Sequence, residues 1–131
     1  MGTFNQILAP VSIGELIDKV TILRIKCEKI KDKKKCDNAK NELESLLRVC
    51  QESEIDLENE LVDRLYNCNQ KLWDIEDKIR LKEKSKEFDD EFVQIARSVY
   101  FSNDDRFQIK RKLNTKYGSQ IVEEKSYQEY S

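Results

Sequence analysis

Histidine is missing from all 131 residues. Its absence removes Ser-His and Cys-His nucleophilic catalysis and every metal site built on imidazole. Glycine occurs three times and proline once, so tight turns are scarce. Neither a GxxxxGK-S/T loop nor a GxGxxG turn is present to cradle a phosphate. No run approaches the ~18 apolar residues that span a bilayer. The four cysteines, Cys27, Cys36, Cys50 and Cys68, include no CxxC pair, and their spacing does not suit a zinc site. Cys27, Cys50 and Cys68 fall at apolar helical positions, where a thiol acts as a small hydrophobe, as in a reduced cytosolic protein.

A charge excess of one sign is also lacking. The 24 basic and 26 acidic residues leave a net charge of -2, and they are mixed along the chain rather than gathered into a basic footprint. Neither nucleic acid nor a membrane is an expected partner. The opening MGTFNQILAP has no basic stretch and no apolar core of a signal peptide, and Gln6 spoils a myristoylation motif at Gly2. A cytoplasmic location follows as the expectation. Neither a cofactor nor a metal is expected, and any chemistry must rest on carboxylates, Arg, Lys, Tyr or Cys.

What is present in quantity is charge of both signs, 38% of the chain, set between Leu and Ile at helical spacing. The length suits one domain, and the pattern predicts an all-α fold: an antiparallel bundle of four to five helices with a long central helix and a docked C-terminal tail. Helix 1 is expected over 11–30. Ser12 and Glu15 form an S-x-x-E capping box, with Val11 and Leu16 as its staple. Its apolar face is Ile13, Leu16, Ile17, Val20, Leu23, Cys27 and Ile30, widened by Ile22 and Ile25 enough to meet more than one neighbour. Lys31–Lys35 reads as a solvated link, and Asp37 as the cap of helix 2 over 37–50, with Ala39, Leu43, Leu46, Leu47 and Cys50 inward. Either Ser53 or Asp56 caps helix 3, expected over 56–82.

Helix 3 carries two lines. Leu57, Leu61, Leu65, Cys68, Leu72, Ile75 and Ile79 make an aliphatic seam close to a heptad. One residue on, rotated by about 100°, run Val62, Tyr66, Asn69, Trp73, Glu76 and Arg80. Helix 4 is expected over 88–101, with Phe88, Phe92, Ile95, Ala96 and Val99 inward. Phe101–Asp105 then breaks the pattern, and Ser102 or Asn103 caps helix 5 over 104–117, whose apolar positions are Phe107, Ile109, Leu113 and Tyr117. Gly118 is a natural C′ residue. The tail, 118–131, has Ile121, Val122, Tyr127 and Tyr130 with which to dock.

Three constellations are candidates for a site. Glu15 and Asp18 on helix 1, with Glu76 and Asp77 on helix 3, are four carboxylates that would bind one Mg²⁺ if the two helices turn them together; the plainer reading is a capping residue and a paired Asp. Trp73, Glu76 and Arg80 place a stacking surface beside an i,i+4 ion pair. Arg97, Tyr100, Asn103, Arg106 and Lys110 surround the start of helix 5, where a helix N-terminus favours an anion, although Asp104 and Asp105 would meet the same helix end first.

Several blocks in order carry a family likeness. They are Ser12-Ile13-Gly14-Glu15-Leu16-Ile17-Asp18-Lys19, Leu72-Trp73-Asp74-Ile75-Glu76-Asp77-Lys78-Ile79-Arg80, Ala96-Arg97-Ser98-Val99-Tyr100 with Asn103-Asp104-Asp105-Arg106, and Val122-Glu123-Glu124-Lys125-Ser126-Tyr127. In these the chain resembles a family of short bacterial and phage proteins of unknown function, most weakly between Lys31 and Leu61. The resemblance implies that the tail is part of the fold and that bacterial relatives accompany surface-polysaccharide genes. It carries over no catalytic residue. The function expected is a binding or assembly protein that pairs as a homodimer, because a helix with two lines needs neighbours on both. The alternative is a small enzyme or sensor that holds an anionic ligand, a phosphorylated sugar or nucleotide, through Trp73, Glu76, Arg80, Arg97, Tyr100 and Arg106. That alternative requires those side chains to converge.

Overall fold

The computed structural model describes residues 6–130. Met1–Asn5 and Ser131 lie outside the described residues, and with them the expectation about Gly2. Four helices follow one another: α1 Ile13–Lys29, α2 Lys33–Glu52, α3 Glu60–Lys84 and α4 Asp90–Tyr117. No strand occurs among the described residues, including at Ile121 and Val122. The all-α bundle is as expected.

Local chemistry sets each boundary. Ser12 caps α1 by accepting from the Glu15 N–H at 3.1 Å. The reciprocal half of the capping box is not made, since the Glu15 carboxylate turns to Lys110. The helix 2 start expected at Asp37 moves back to Lys33: Asp32 accepts from the Lys35 N–H at 2.9 Å, and lysines are good helix formers once a cap precedes them. Helix 3 starts later than expected. Asp56 is spent on a turn, accepting from the Glu58 N–H, and Asn59 takes over as the cap of Val62 N–H at 3.1 Å. Leu57 therefore packs as a loop residue against both core clusters.

The expected break between helices 4 and 5 does not exist. α4 runs through Phe101–Asp105 without interruption. Ser, Asn and Asp lower helix propensity by only a fraction of a kcal/mol each, and neither Gly nor Pro is there to end the helix. Ser102 faces inward and is 2% exposed, so packing on α3 overrides the local preference. α4, not α3, is thus the longest helix, at 28 residues.

With so little glycine, two reversals use other residues. Glu54 and Lys86 sit at φ 57° and 56° after α2 and α3. Both complete Schellman motifs, Ile55 N–H to Cys50 O and Glu87 N–H to Lys82 O. Gly118 fills the same left-handed position after α4, at φ 63°.

α1 is the helix on which all the others pack, and α2 packs on no other helix. Its two apolar faces separate the core. Ile17 joins Val62, Leu65, Ile109 and Leu113 of α3 and α4. Leu16 and Val20 join Cys50 and the leucines of α2. Each such side chain contributes about 1.5–3 kcal/mol on burial. α1 and α4 approach so closely at Gly14 that a Cβ there would lie 2.6 Å from the Lys110 carbonyl oxygen. The Gly14 N–H donates to Asn114 Oδ1 at 2.6 Å.

The tail docks on α4 as expected, through Tyr130 as anticipated and otherwise through ion pairs. Glu123 meets Lys110 at 2.7 Å, Lys125 meets Asp104 at 3.0 Å, and the Tyr130 hydroxyl donates to Asp104 at 2.5 Å. Ile121, Val122 and Tyr127 remain exposed. No described helix is long and apolar enough to cross a membrane. The four cysteines are free, and burial raises the pKa of Cys27, Cys50 and Cys68, keeping them as thiols.

Candidate functional site

Asp18 of α1 is fully buried, so its charge needs a partner. Arg106 of α4 supplies it in a fork: Nε donates to Oδ1 at 3.0 Å and Nη2 to Oδ2. Asn69 of α3 donates from Nδ2 to the same Oδ1 at 2.8 Å and to Thr21 Oγ1 at 2.9 Å. The Thr21 hydroxyl in turn donates to the Asp18 carbonyl at 2.8 Å. Three helices thus meet on one carboxylate.

One turn further along α4, buried Lys110 reaches Glu15 and Glu123, each at 2.7 Å, and stands 4.0 Å from Asp18. Burial pulls the Lys110 pKa down, but Glu123, Glu15 and Asp18 outweigh it and hold it above its ordinary value. Hydrogen bonding to Asp18 likewise raises Arg106 against the effect of burial. Two cations face three carboxylates, so the cluster is charge-compensated and slightly acidic.

Beside this cluster lies an open groove of about 540 Å³. Ile22 and Ile25 of α1, Asn69, Leu72, Trp73, Glu76, Asp77 and Arg80 of α3, and Asn103 and Arg106 of α4 line it. Ile25 and Asn69 are its buried lining, Ile22, Leu72, Trp73, Asn103 and Arg106 are half-buried, and Glu76, Asp77 and Arg80 are exposed. Arg80 Nε and Glu76 Oε2 stand 3.1 Å apart, the i,i+4 pair expected. The Trp73 indole N–H and the Asn103 amide have no hydrogen-bond partner among the described residues. Asn103 and Arg106 also border a smaller recess of about 290 Å³ with Phe107, Lys110, Glu123, Lys125 and Tyr127.

Of the residues singled out in the sequence, Trp73, Glu76, Asp77, Arg80, Asn103 and Arg106 therefore share one groove. Lys110 lies in the adjoining recess. Arg97 and Tyr100 are not with them. The Arg97 guanidinium stands over the Phe101 ring at 5.7 Å. Tyr100 lines a separate cleft of about 730 Å³ between α4 and the tail, with its ring 5.3 Å from that of Tyr130. The anion site expected at a helix 5 N-terminus is lost with that terminus, because the backbone N–H groups there are bonded within α4. The four-carboxylate arrangement does not assemble either. Glu15 and Asp18 are taken by Lys110 and Arg106, and among the described residues no three Cys, Asp or Glu side chains come together to hold a metal ion.

Thr21, Asn69, Glu123 and Lys125 take part without having been singled out. Asn69 left a trace in the sequence, as a polar step in the second line of α3, whereas Thr21 left none. Glu123 and Lys125 stood within the family-like block of the tail, but nothing in the sequence paired them with Lys110 and Asp104 of α4.

Fold and site together define a helical protein held by a buried three-helix ionic cluster, with a Trp73-lined groove beside it. The chain belongs to the family of unknown function DUF6165, which it matches over residues 8–130. No curated protein and no solved structure matches it.

Proposed function

We propose that the protein is a binding module whose small ligand lies in the groove between α1, α3 and α4, with a ring stacked on Trp73. The observation that carries this reading is the convergence of Trp73, Glu76, Asp77, Arg80, Asn103 and Arg106 on one concave surface. A groove of this size, lined by aliphatic and aromatic side chains together with a few polar groups, has the dimensions and chemistry of ligand sites in general.

The charges select the ligand. Glu76 and Asp77 offset Arg80, and Asp18 takes most of the Arg106 fork, which leaves no surplus of positive charge to anchor a phosphate. The free groups are a mixture of donors and acceptors: the Trp73 N–H, the Asn103 amide and the outer carboxylates. That mixture over an aromatic face suits the hydroxyls and the C–H face of a sugar ring better than a phosphorylated sugar or a nucleotide.

Trp73 is the only tryptophan in the chain, so its fluorescence reports the groove directly. Titration with neutral monosaccharides and oligosaccharides should quench or shift the emission and raise the melting temperature, and Trp73→Ala should remove the thermal shift. Sugar phosphates and nucleotide sugars form the second arm. Neither a spectral change nor a thermal shift in either arm would overturn the reading; a response confined to the phosphorylated arm would replace the neutral sugar with an anionic one.

A further inference from the structure

From Glu76 to Phe101 not one residue is buried. The stretch consists of the last two and a half or so turns of α3, the reversal at Lys86 and the first three turns of α4. It is not poor in apolar side chains: Ile79, Leu81, Phe88, Phe92, Val93 and Val99 all lie in it. The cause is positional. The hydrogen bonds of α1 to the hairpin lie no nearer its tip than Asn69 and Arg106, its Ile22 and Ile25 line the groove with Arg80, and α2 does not pack on either helix. Beyond the groove the α3–α4 hairpin stands as a two-helix arm. The Phe88 and Phe92 rings pack edge to face at 5.3 Å, yet Phe88 stays 56% exposed, with Leu81 at 64% and Val93 at 48%. Helices draw most of their stability from packed apolar faces, which two helices alone supply on one seam only.

The arm is also polarised. Residues 78–86 carry Lys78, Arg80, Lys82, Lys84 and Lys86 against Glu83. Residues 87–94 carry Glu87, Asp89, Asp90 and Glu91 and no cation. Within the arm Lys82 alone bridges the two ends, standing 2.9–3.6 Å from Asp89, Glu87 and Glu91. Lys78, Lys84 and Asp90 form no ion pair among the described residues.

We infer that the arm is covered by a second copy of this chain, two arms packing about a two-fold axis as a four-helix bundle. In it the basic end of α3 lies against the acidic start of the other copy's α4. A two-fold interface repeats each contact twice, so a surface that is basic on one helix and acidic on its neighbour is complementary to itself. The remaining apolar faces would close into a core of the four-helix type. A surface with both signs side by side has no matching preference for an anionic membrane. This interface is separate from the two lines of α3 that first suggested pairing: α1 and α4 already cover much of those. It stands whether or not the groove holds a ligand.

Light scattering on the eluting 131-residue chain, across a concentration series, should give a mass approaching twice 15.6 kDa. Lys78→Glu with Lys84→Glu, and separately Asp90→Lys with Glu91→Lys, should each weaken self-association by about tenfold or more. Mixing the two variants should restore a dimer containing one of each, because every reversed contact then meets its opposite. Circular dichroism of each variant excludes unfolding as the cause. Should one of them fail to fold, Leu81→Asn replaces it, and a shift toward monomer with unchanged helicity is the result expected. A wild-type protein that stays at 15.6 kDa at the highest concentrations overturns the proposal. So does a dimer indifferent to all of these variants, or two charge-reversed variants that do not prefer each other. Trp73→Ala should leave the dimer intact, which separates this test from that of the groove.

Discussion

Arg106 and Asp18 lie 88 positions apart in sequence and form a bidentate ion pair in which the carboxylate is wholly buried. Such a pair adds little net stability over a well-packed apolar pair, because both ions lose their water. Its larger effect is on arrangement. Asp18 accepts only from an α4 that presents Arg106 at that level and an α3 that presents Asn69 there, so sliding any helix by one turn would strand a charge in the core.

Removing one partner should therefore cost far more than removing both. Asp18→Asn leaves Arg106 facing the interior without its counter-charge and should destabilise the fold by about 3–5 kcal/mol. Asp18→Leu combined with Arg106→Met should cost clearly less than the sum of the two single changes. Denaturant unfolding of the four proteins measures the coupling. Additive effects would mean that the two side chains act independently, against the fork seen here.

Gly14 is a second point of contact between the same helices. A methyl group placed there would meet the Lys110 backbone at 2.6 Å and Asn114 at 3.0 Å. In most helices Gly→Ala stabilises. Here it should destabilise by about 1–3 kcal/mol, because backbone cannot move aside as a side-chain tip can. A variant with equal or higher melting temperature would show that α1 and α4 sit further apart than described.

These two contacts mark the limit of what the sequence made legible. The helical class, the α1 cap at Ser12, the inward face of α1 and the Glu76–Arg80 pair could all be read from spacing and local chemistry, whereas the face expected at Phe88, Phe92, Ile95, Ala96 and Val99 is not buried. The continuity of α4 could not. Ser102-Asn103-Asp104-Asp105 reads as a capping cluster, and only the packing of Ser102 against α3 makes it an ordinary turn of helix. The same holds for the site. Trp73, Glu76 and Arg80 stood out as an odd group for a bundle helix, whereas Arg97 and Tyr100 were grouped with Arg106 by proximity along the chain. On a continuous helix, Arg97 and Tyr100 turn to a different side from Asn103 and Arg106. Asp18 was read mainly as a surface-paired acid, because one sequence does not reveal that an Arg from α4 will arrive there.

The left-handed residues Glu54 and Lys86 offer the opposite kind of test from Gly14. A side chain at φ near +57° costs roughly 1–2 kcal/mol, and glycine relieves it at the expense of some unfolded-state entropy. Glu54→Gly and Lys86→Gly should each raise stability by about 0.5–1 kcal/mol. Ala at the same positions should give no such gain. Thermal unfolding in the dimer-free concentration range, or on the Leu81→Asn background, makes the measurement independent of self-association. A loss of stability on going to glycine would mean that the side chains themselves make contacts that the strain merely accompanies.

The tail is held by a contact that titrates at both ends of the pH scale. Tyr130 donates to Asp104, and Lys125 pairs with the same carboxylate. The Asp104 pKa is held below its ordinary 3.8 by the hydrogen bonds from Tyr130 and Lys125. Its contribution is thus present above that value and lost as the pH falls through the depressed one. The Tyr130 phenol is pushed up from 10.0 to about 12, chiefly by its bond to Asp104. Its contribution is complete below pH 10 and lost as the pH rises through about 12. The tail should therefore stay docked across the neutral range and release at either extreme. Following phenolate absorbance, a late-titrating tyrosine near pH 12 should be present in the wild type and missing in Tyr130→Phe. Limited proteolysis at neutral pH should cut the tail faster in Asp104→Asn than in the wild type. If Tyr130 titrated at its ordinary value, and the tail were cut equally fast in both proteins, the tail would not be held by this pair, and the cleft it forms with Tyr100 would have no fixed wall.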